Sequence, residues 1–546
     1  MQFIMSDRPI FTYQTRPVVD AAQAAVLDAY AALYGHAERS LFAEMQDGGT
    51  VNELKREFLP KFGITARQFN AIRIGLDGKV DSIKQRRPEL IAEAQTRIKK
   101  AVKVIAKLAT KIPGSNKLHQ KKRRLAMMQA RLASMQSDEE NGQVRLCFGS
   151  KRLFHAQYAL ESNGFASHAD WLLAWQTARS DQFFVLGSGD ESAGNQSCQA
   201  SVVQDNALDL QLRLPDALSE HGKYLSIKGV RFAYGHNSIV AALQSSQRIS
   251  TTTKAGVAIQ KRIGTALSYR FVRDVKGWRV FVSCESQAVD VTTNIDLGAV
   301  GVDVNADHLA VGVLDRFGNA VDVDRVDLHT YGKTTDQAKA LIGEAVVKIV
   351  GLAQSLNKPL VIEKLNFAKK KAELETSDSK KARMLSSFAC NQVSKGIKAA
   401  AFRSGVEVIE VNPAYTSVIG AVNFAQVKGV SVHQGAAIAI ARRGLGLSER
   451  SAVAVGLVPV ANGGHVTFEL PARNRSKHVW SFWSKVRTNL KAAHVAHYRY
   501  GEHKKSPSPL TPAMRPSSAI WSSTAQFRGA NRQQNGSADV LDDVPF

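Results

Sequence analysis

The chain has 546 residues, too many for one ordinary hydrophobic core, so its length predicts two to four domains. Its net charge of +24 favours a polyanionic partner, nucleic acid before an anionic membrane, because no amphipathic membrane helix accompanies the charge. Four widely separated cysteines argue against a disulfide framework and a local zinc knuckle, and no signal peptide or membrane span is visible, so we expect a cytoplasmic, nucleoid-associated protein without a membrane partner.

The first 140 residues predict one short strand followed by helices. Residues 11–17 read as the strand, in an N-terminal segment 1–19. Asp20 is a plausible N-cap for the helical pattern that follows it. We therefore predict a helical domain over residues 20–140.

A seven-residue repeat marks an antiparallel helical hairpin within this domain. Ile91, Ile98, Ile105 and Ile112 recur as one half of an a/d seam, and the sequence PGSN at 113–116 then breaks the helix. The outer face carries positive charge with almost no acid, which favours contact with a phosphate backbone over a merely soluble coiled coil. The candidate nucleic-acid-binding residues there are Lys99, Lys100, Lys103, Lys107, Lys111, Lys121, Lys122, Arg123 and Arg124.

Residues 141–292 have the two-residue period of β-strands. Leucines alternate with polar residues at 208–214, and residues 267–285 read as a hairpin that turns at DVKG. One helix interrupts the strands. We predict a β-barrel in this region.

Residues 293–500 follow an α/β order. Three antiparallel strands precede helix, strand, helix, strand and helix, which matches the ribonuclease-H-like (RNase-H-like) topology. Residues 501–546 are rich in Pro, Ser, Asn and Gly and are predicted to be disordered.

Two acids occupy strands of this last domain. Asp303 lies in an apolar strand, and Glu363 repeats the arrangement in LVIEKL. If the strands are parallel neighbours, their carboxylates project side by side and repel each other unless they share a proton or bind a cation. A divalent metal site is therefore predicted.

GVDVNADHLAVGVLDRFGN and LVIEKLNF resemble the first two RuvC motifs of TnpB proteins and their descendants, the type V CRISPR effectors, and VEVIEVNPAYTS resembles the strand that follows them. The resemblance implies a multidomain protein with a helical recognition lobe, a wedge β-barrel and an RNase-H-like (RuvC) nuclease domain. It also implies guide RNA and double-stranded target DNA as partners, and cleavage that uses magnesium or manganese held by three acids.

The third acid is absent from the expected place. HQGAA at 433–437 aligns with the D-x-N-A-A motif of the family and puts His433 there, and no cysteine, Asp or Glu occurs from 412 to 447, so no zinc is expected. His433 is either a metal ligand, for manganese in particular, or the sign of a degenerate site. A third interpretation makes it a helix-capping or core histidine without a role.

The leading hypothesis is an RNA-guided DNA endonuclease with Asp303, Glu363 and His433 as catalytic metal ligands. The alternatives are a nuclease-deficient RNA-guided protein that represses or marks its target, and a transposon accessory protein. Oligomeric state cannot be read from the sequence. Further nucleic-acid contacts are predicted at Lys369, Lys370 and Lys371 in a lid-like segment, and at Arg442 and Arg443 on the last helix.

Overall fold

The computed structural model describes residues 9–252, 258–286, 289–364, 390–451, 453–460 and 463–500. These residues form two compact units, one from 9–95 and 122–286 and the other from 96–121 and 289–500. In this described part of the chain, no helix combines the length and the apolar character that a membrane crossing needs. The domain boundaries at 19, 140, 292 and 500 stay predictions, and the tail 501–546 lies outside the described residues.

Helices dominate the first part of the chain. They are α1 (Ala21–Gln46), α2 (Val51–Phe62), α3 (Ala66–Lys111), α4 (Asn116–Glu140), α5 (Lys151–Ala156), α6 (His168–Ala178) and α7 (His236–Gln244). Asp20 caps α1 as predicted. Its side chain accepts from the Gln23 backbone N–H, and the Gln23 side chain accepts from the Asp20 N–H, which is a capping box.

Helices α3 and α4 form the predicted hairpin, with its turn at residues 112–115. Helix α3 begins well before the seven-residue repeat and continues through Pro88, although proline removes one backbone donor. Arg87 is buried beside this point and donates to the carbonyls of Asp138 and Gln143, which ties α3 to the end of α4. These tertiary contacts override the local signal of the proline.

The strands of the first unit are all antiparallel. They are β1 (Ile10–Thr15), β2 (Gln182–Val185), β3 (Cys198–Val202), β4 (Leu208–Arg213), β5 (Tyr224–Val230), β6 (Gln247–Thr252), β7 (Ala258–Ile263), β8 (Leu267–Asp274) and β9 (Gly277–Glu285). The sheet orders are β1-β9-β8-β2, β3-β4-β5 and β6-β7. In the described residues the strands pair as three separate sheets and no closed barrel is found among them, so the barrel stays a prediction. Alternation predicts a strand and its buried face, but it does not specify which distant strands pair.

The second unit is built on one mixed sheet. Its strands are β10 (Ala299–Val304), β11 (His308–Leu314), β12 (Ala320–Asp327), β13 (Leu360–Glu363) and β14 (Val408–Val411), in the order β12-β11-β10-β13-β14. The first three are antiparallel, and β13 runs parallel to both β10 and β14. This is the arrangement expected from the RNase-H-like element order, including the predicted parallel pairing of the Asp303 and Glu363 strands.

Helices cover both faces of this sheet. The helices of the unit are α8 (Thr335–Ser355), α9 (Cys390–Arg403), α10 (Thr416–Gly420), α11 (Val432–Gly444) and α12 (Val479–Tyr500), and a short hairpin of β15 (Val455–Pro459) and β16 (His465–Glu469) precedes α12. Helices α8 and α9 share one core with alternate residues of the sheet, and α11 shares a second core with the residues between them. The acids of interest project toward α11.

Helix α11 sits unusually close to the sheet because two glycines lie beneath it. A Cβ atom on Gly301 would be 2.1 Å from the carbonyl oxygen of Ala437, and one on Gly312 would be 3.1 Å from the backbone nitrogen of Ile438. Only glycine lets the helix backbone approach the strand at the first position. The contact fixes the start of α11 over β10.

Candidate functional site

Asp303 is a buried carboxylate next to the end of β10, with 7% of its surface exposed. Side chains alternate along a strand, so Asp303 shares the α11 face with Gly301. The Asn305 amide donates to Asp303 Oδ2 at 3.0 Å, and His433 Nδ1 lies 3.3 Å from the same oxygen. These contacts offset part of the cost of burying a negative charge.

His433 is the second residue of α11 and meets Asp303 from above. Ser431 is the N-cap, because its side chain accepts from the Gln434 N–H and the Gln434 side chain accepts from the Ser431 N–H. The His433 side chain is 46% exposed. The capping and core interpretations of His433 are therefore wrong, since Ser431 caps the helix and the imidazole lies half in solvent against Asp303.

Glu363 ends the neighbouring strand β13. Val302 pairs in parallel with Ile362, so Asp303 and Glu363 occupy the next equivalent positions of adjacent strands. Glu363 shares its face with Val361, which packs in the same core as Ile438 of α11. Glu363 Oε1 accepts a 2.5 Å hydrogen bond from Thr416 Oγ1 at the start of α10.

His308 belongs to the same face and was missed by the sequence interpretation. It is 4% exposed, its Nδ1 lies 2.8 Å from Asp307 Oδ1, and its ring meets the His433 ring edge-on with 5.0 Å between centroids. Its Nε2 is 3.5 Å from the Asn305 amide nitrogen. The register of the β10–β11 hairpin could have identified it. Asp303 pairs with Ala310, and position 308 lies two residues before Ala310, on the same face of the sheet.

Asp307 stays ionised in this cluster. Burial opposes ionisation, but the hydrogen bond and charge of His308, together with the Arg325 guanidinium, hold the pKa of Asp307 below its ordinary value. The carboxylate therefore accepts from His308 Nδ1–H and orients the imidazole, as carboxylates commonly orient functional histidines.

The donor types suit a divalent cation. Asp303 and Glu363 supply the oxygens that hard ions prefer, and His433 supplies a nitrogen acceptable to manganese and other transition metals. Within the described ranges, however, no three His, Cys, Asp or Glu side chains converge on one point. Asp303 and His433 touch, whereas Glu363 is turned to Thr416. The roles of the three as metal ligands stay predictions.

The predicted nucleic-acid-binding residues fall into three groups. Those on the hairpin are solvent-exposed, apart from the half-buried Lys100 and Lys121. Lys369, Lys370 and Lys371 lie outside the described residues. Arg442 and Arg443 are engaged within the fold, as described next, and their contact with phosphate stays a prediction.

Arg443 holds the loop between β14 and α10. Its guanidinium donates to the carbonyl oxygens of Asn412 and Ala414 and pairs with Glu449, and 11% of its side chain is exposed. Glu449 also accepts from the indole N–H of Trp480 on α12. Arg442 donates to the carbonyl of Gly318 at 2.6 Å. Both arginines thus have structural partners that sequence spacing could not reveal.

No family model and no curated protein matches the chain. Among solved structures, it is similar to RuvC from Thermus thermophilus in complex with a Holliday junction substrate, and to a second structure of RuvC from that organism. Both matches have 16% identity and a TM-score of 0.20, and they cover 27% and 26% of this chain and 90% of the RuvC chain.

Proposed function

We propose that the chain is an RNA-guided DNA-binding protein whose RNase-H-like unit cleaves DNA with a divalent ion. The observation that supports this most is the position of Asp303 and Glu363. Each is the residue after a paired position on adjacent parallel strands, and both lie on the sheet face that α11 covers. A buried acid beside a second acid and a histidine is costly to maintain for stability alone.

Asp303, Glu363 and His433 are the proposed holders of the ion, magnesium or manganese. A bound divalent ion would supply a Lewis acid for the phosphate and lower the pKa of an attacking water. Asn305 orients the Asp303 carboxylate through its amide, and Asp307 fixes the ring of His308 beside His433. These contacts hold the negative charge of Asp303 at one place.

The nucleic-acid part of the proposal is supported by charge. The chain carries +24 overall, and the hairpin presents exposed lysines and arginines of one sign. Such a surface gains affinity by releasing counterions from a phosphate backbone. The RNA-guided part rests on the resemblance of the three sequence motifs to the TnpB and type V group.

A nuclease-deficient DNA-binding protein is the second candidate. It is favoured by the position of Glu363, which binds Thr416 and does not join Asp303 and His433 in a three-residue cluster of the described side chains. An imidazole in place of a carboxylate at position 433 also removes attraction for a hard ion.

The test is to purify the protein with co-expressed RNA, sequence that RNA, and incubate the complex with a matching plasmid in magnesium and in manganese. We expect a discrete RNA and cleavage that is lost in Asp303→Asn and in Glu363→Gln, with DNA binding retained. Binding without cleavage in either metal would favour the nuclease-deficient candidate. The absence of a discrete RNA would refute guidance by RNA.

A further inference from the structure

A buried hydroxyl contacts Glu363, one of the three proposed ligands. Thr416 is 1% exposed, and its Oγ1 donates to Glu363 Oε1 at 2.5 Å. We propose that Thr416 is a positioning residue for Glu363 and that Arg443 holds Thr416 in place. This inference rests on the proposed function, because it concerns how one ligand of the divalent ion is oriented.

The chemistry of the hydroxyl favours the bond to Glu363. Thr416 has one hydroxyl hydrogen and two acceptors within reach, Glu363 Oε1 at 2.5 Å and the Pro413 carbonyl at 3.1 Å. A hydrogen bond to an ionised acceptor is shorter and roughly twice as strong as one between neutral groups. Donation to the carboxylate therefore prevails, and it restricts the rotation of Glu363 through one of its two oxygens.

The backbone before Thr416 is strained and needs support. Tyr415 has φ = +63°, in the left-handed region that a bulky residue rarely adopts. Arg443 donates to the carbonyl oxygens of Asn412 and Ala414, just before Tyr415 in the chain, and Glu449 pairs with the guanidinium. The planar guanidinium has several donors and can make these hydrogen bonds at once, whereas a lysine ammonium cannot reproduce their geometry.

These contacts form a continuous path to the site. Trp480 of α12 donates to Glu449, Glu449 pairs with Arg443, Arg443 holds the loop, and the loop delivers Thr416 to Glu363. Hydrogen-bonded partners of a metal-binding carboxylate typically contribute ten- to a hundredfold to metal affinity. The orientation of the Glu363 side chain is thus set by these contacts as well as by its own strand.

The experiment measures manganese binding in the absence of nucleic acid, by the loss of the free Mn²⁺ signal in electron paramagnetic resonance. Thr416→Val keeps the shape and removes the hydroxyl, so we expect about ten- to a hundredfold weaker binding. Thr416→Ser keeps the hydroxyl and is expected to restore binding to about the wild-type value. Ser417→Ala, at the exposed neighbouring residue, is the matched control.

The Asp303→Asn variant distinguishes failure of the proposed metal site from failure of the positioning role of Thr416. If manganese binding by the wild type does not depend on Asp303, both the metal site and this inference are overturned. If it depends on Asp303 but Thr416→Val binds like the wild type, or Thr416→Ser binds as weakly as Thr416→Val, only the positioning role is overturned. Arg443→Lys is expected to weaken binding in the same direction, and unchanged binding would remove Arg443 from the path.

Discussion

At the scale of single residues, the site depends on what an imidazole does at the start of a helix. The N-terminus of α11 carries a partial positive charge, which favours an anion over a cation. Asp303 contributes its carboxylate from the strand below, and His433 adds no negative charge when neutral. The donors of the proposed metal site would therefore suit an ion that accepts nitrogen ligands better than magnesium.

Exchanging the imidazole for a carboxylate should change the preferred metal. We expect His433→Asp to raise magnesium-supported cleavage relative to manganese-supported cleavage by about tenfold, because a hard ion gains an oxygen anion. Asp303 would then face a second carboxylate, so the metal-free variant should unfold at lower temperature and recover with magnesium. Parallel cleavage assays and thermal unfolding measure both effects.

His433→Asn is the control, since it offers an oxygen without charge and should not improve the use of magnesium. An unchanged ratio of magnesium to manganese activity in His433→Asp would contradict a ligand role for position 433.

Asp181 predicts a pH dependence of stability in the first unit. Burial raises the pKa of Asp181 to about 6, and the hydrogen bond it accepts and the charges of Arg273 and Lys79 offset only part of this. The folded state therefore keeps a proton that the unfolded state loses, so stability falls as the pH rises from about 4 to about 6. The cost at neutral pH is on the order of 2–3 kcal/mol.

Removing the carboxylate should relieve this cost. Asp181→Asn is expected to raise the unfolding midpoint relative to the wild type at pH 8 and to give little gain at pH 4. Denaturation followed by tryptophan fluorescence at both pH values measures the difference. The exposed Asp296→Asn serves as control, and a gain for Asp181→Asn that is independent of pH would be inconsistent with the raised pKa.

Some site residues could be predicted from the sequence and others could not. Asp303 and Glu363 stood out because an acid inside an apolar strand is rare and needs a reason. Thr416 and Arg443 gave no such signal, because their roles depend on contacts 53 and 29 to 31 residues away along the chain. Motif register located His433, but only the structure shows that Ser431 takes the cap.

At the scale of elements, the helical hairpin is the clearest candidate surface for phosphate. Replacing four of its exposed lysines by glutamine should reduce the slope of log binding constant against log salt by roughly 3 to 4, if each contacts one phosphate of a duplex. The four are Lys99, Lys103, Lys107 and Lys111. Fluorescence anisotropy with a labelled duplex at several salt concentrations measures the slope.

An equal loss of charge elsewhere provides the matched comparison. The control variant replaces four other exposed lysines, which are Lys61, Lys276, Lys333 and Lys339. It should lower affinity slightly through net charge and leave the slope nearly unchanged. Equal slopes for the two variants would show that the hairpin does not contact phosphate.

Local elements were more predictable than their assembly. The strand alternation at 208–214 and the hairpin turn at 275–276 appear where the sequence placed them. The pairing of the strands could not be predicted in the same way, because β1 pairs with β9 more than 260 residues later and β2 joins the far edge of the same sheet through β8. Such pairings depend on which faces can be buried together, and the two-residue period does not encode that choice.

At the scale of the whole molecule, the second unit follows the predicted order of elements most closely. Apolar runs in β10, β11 and β13 require cover on both faces, and the alternating helices supply it. The right-handed crossover rule then leaves few ways to connect β10, β13 and β14 in parallel. In the first unit, by contrast, antiparallel strands can be arranged in many ways, and the sequence alone does not choose among them.

The close seat of α11 on Gly301 has a consequence for how this protein can vary. Ala437 is packed against the strand, so the five residues from His433 to Ala437 fix the distance between this contact and the start of the helix. One inserted residue would turn position 433 by about 100° around the helix axis and away from Asp303. Variants of this chain can therefore exchange the side chain at position 433, but an insertion or deletion between 433 and 437 would separate that side chain from Asp303.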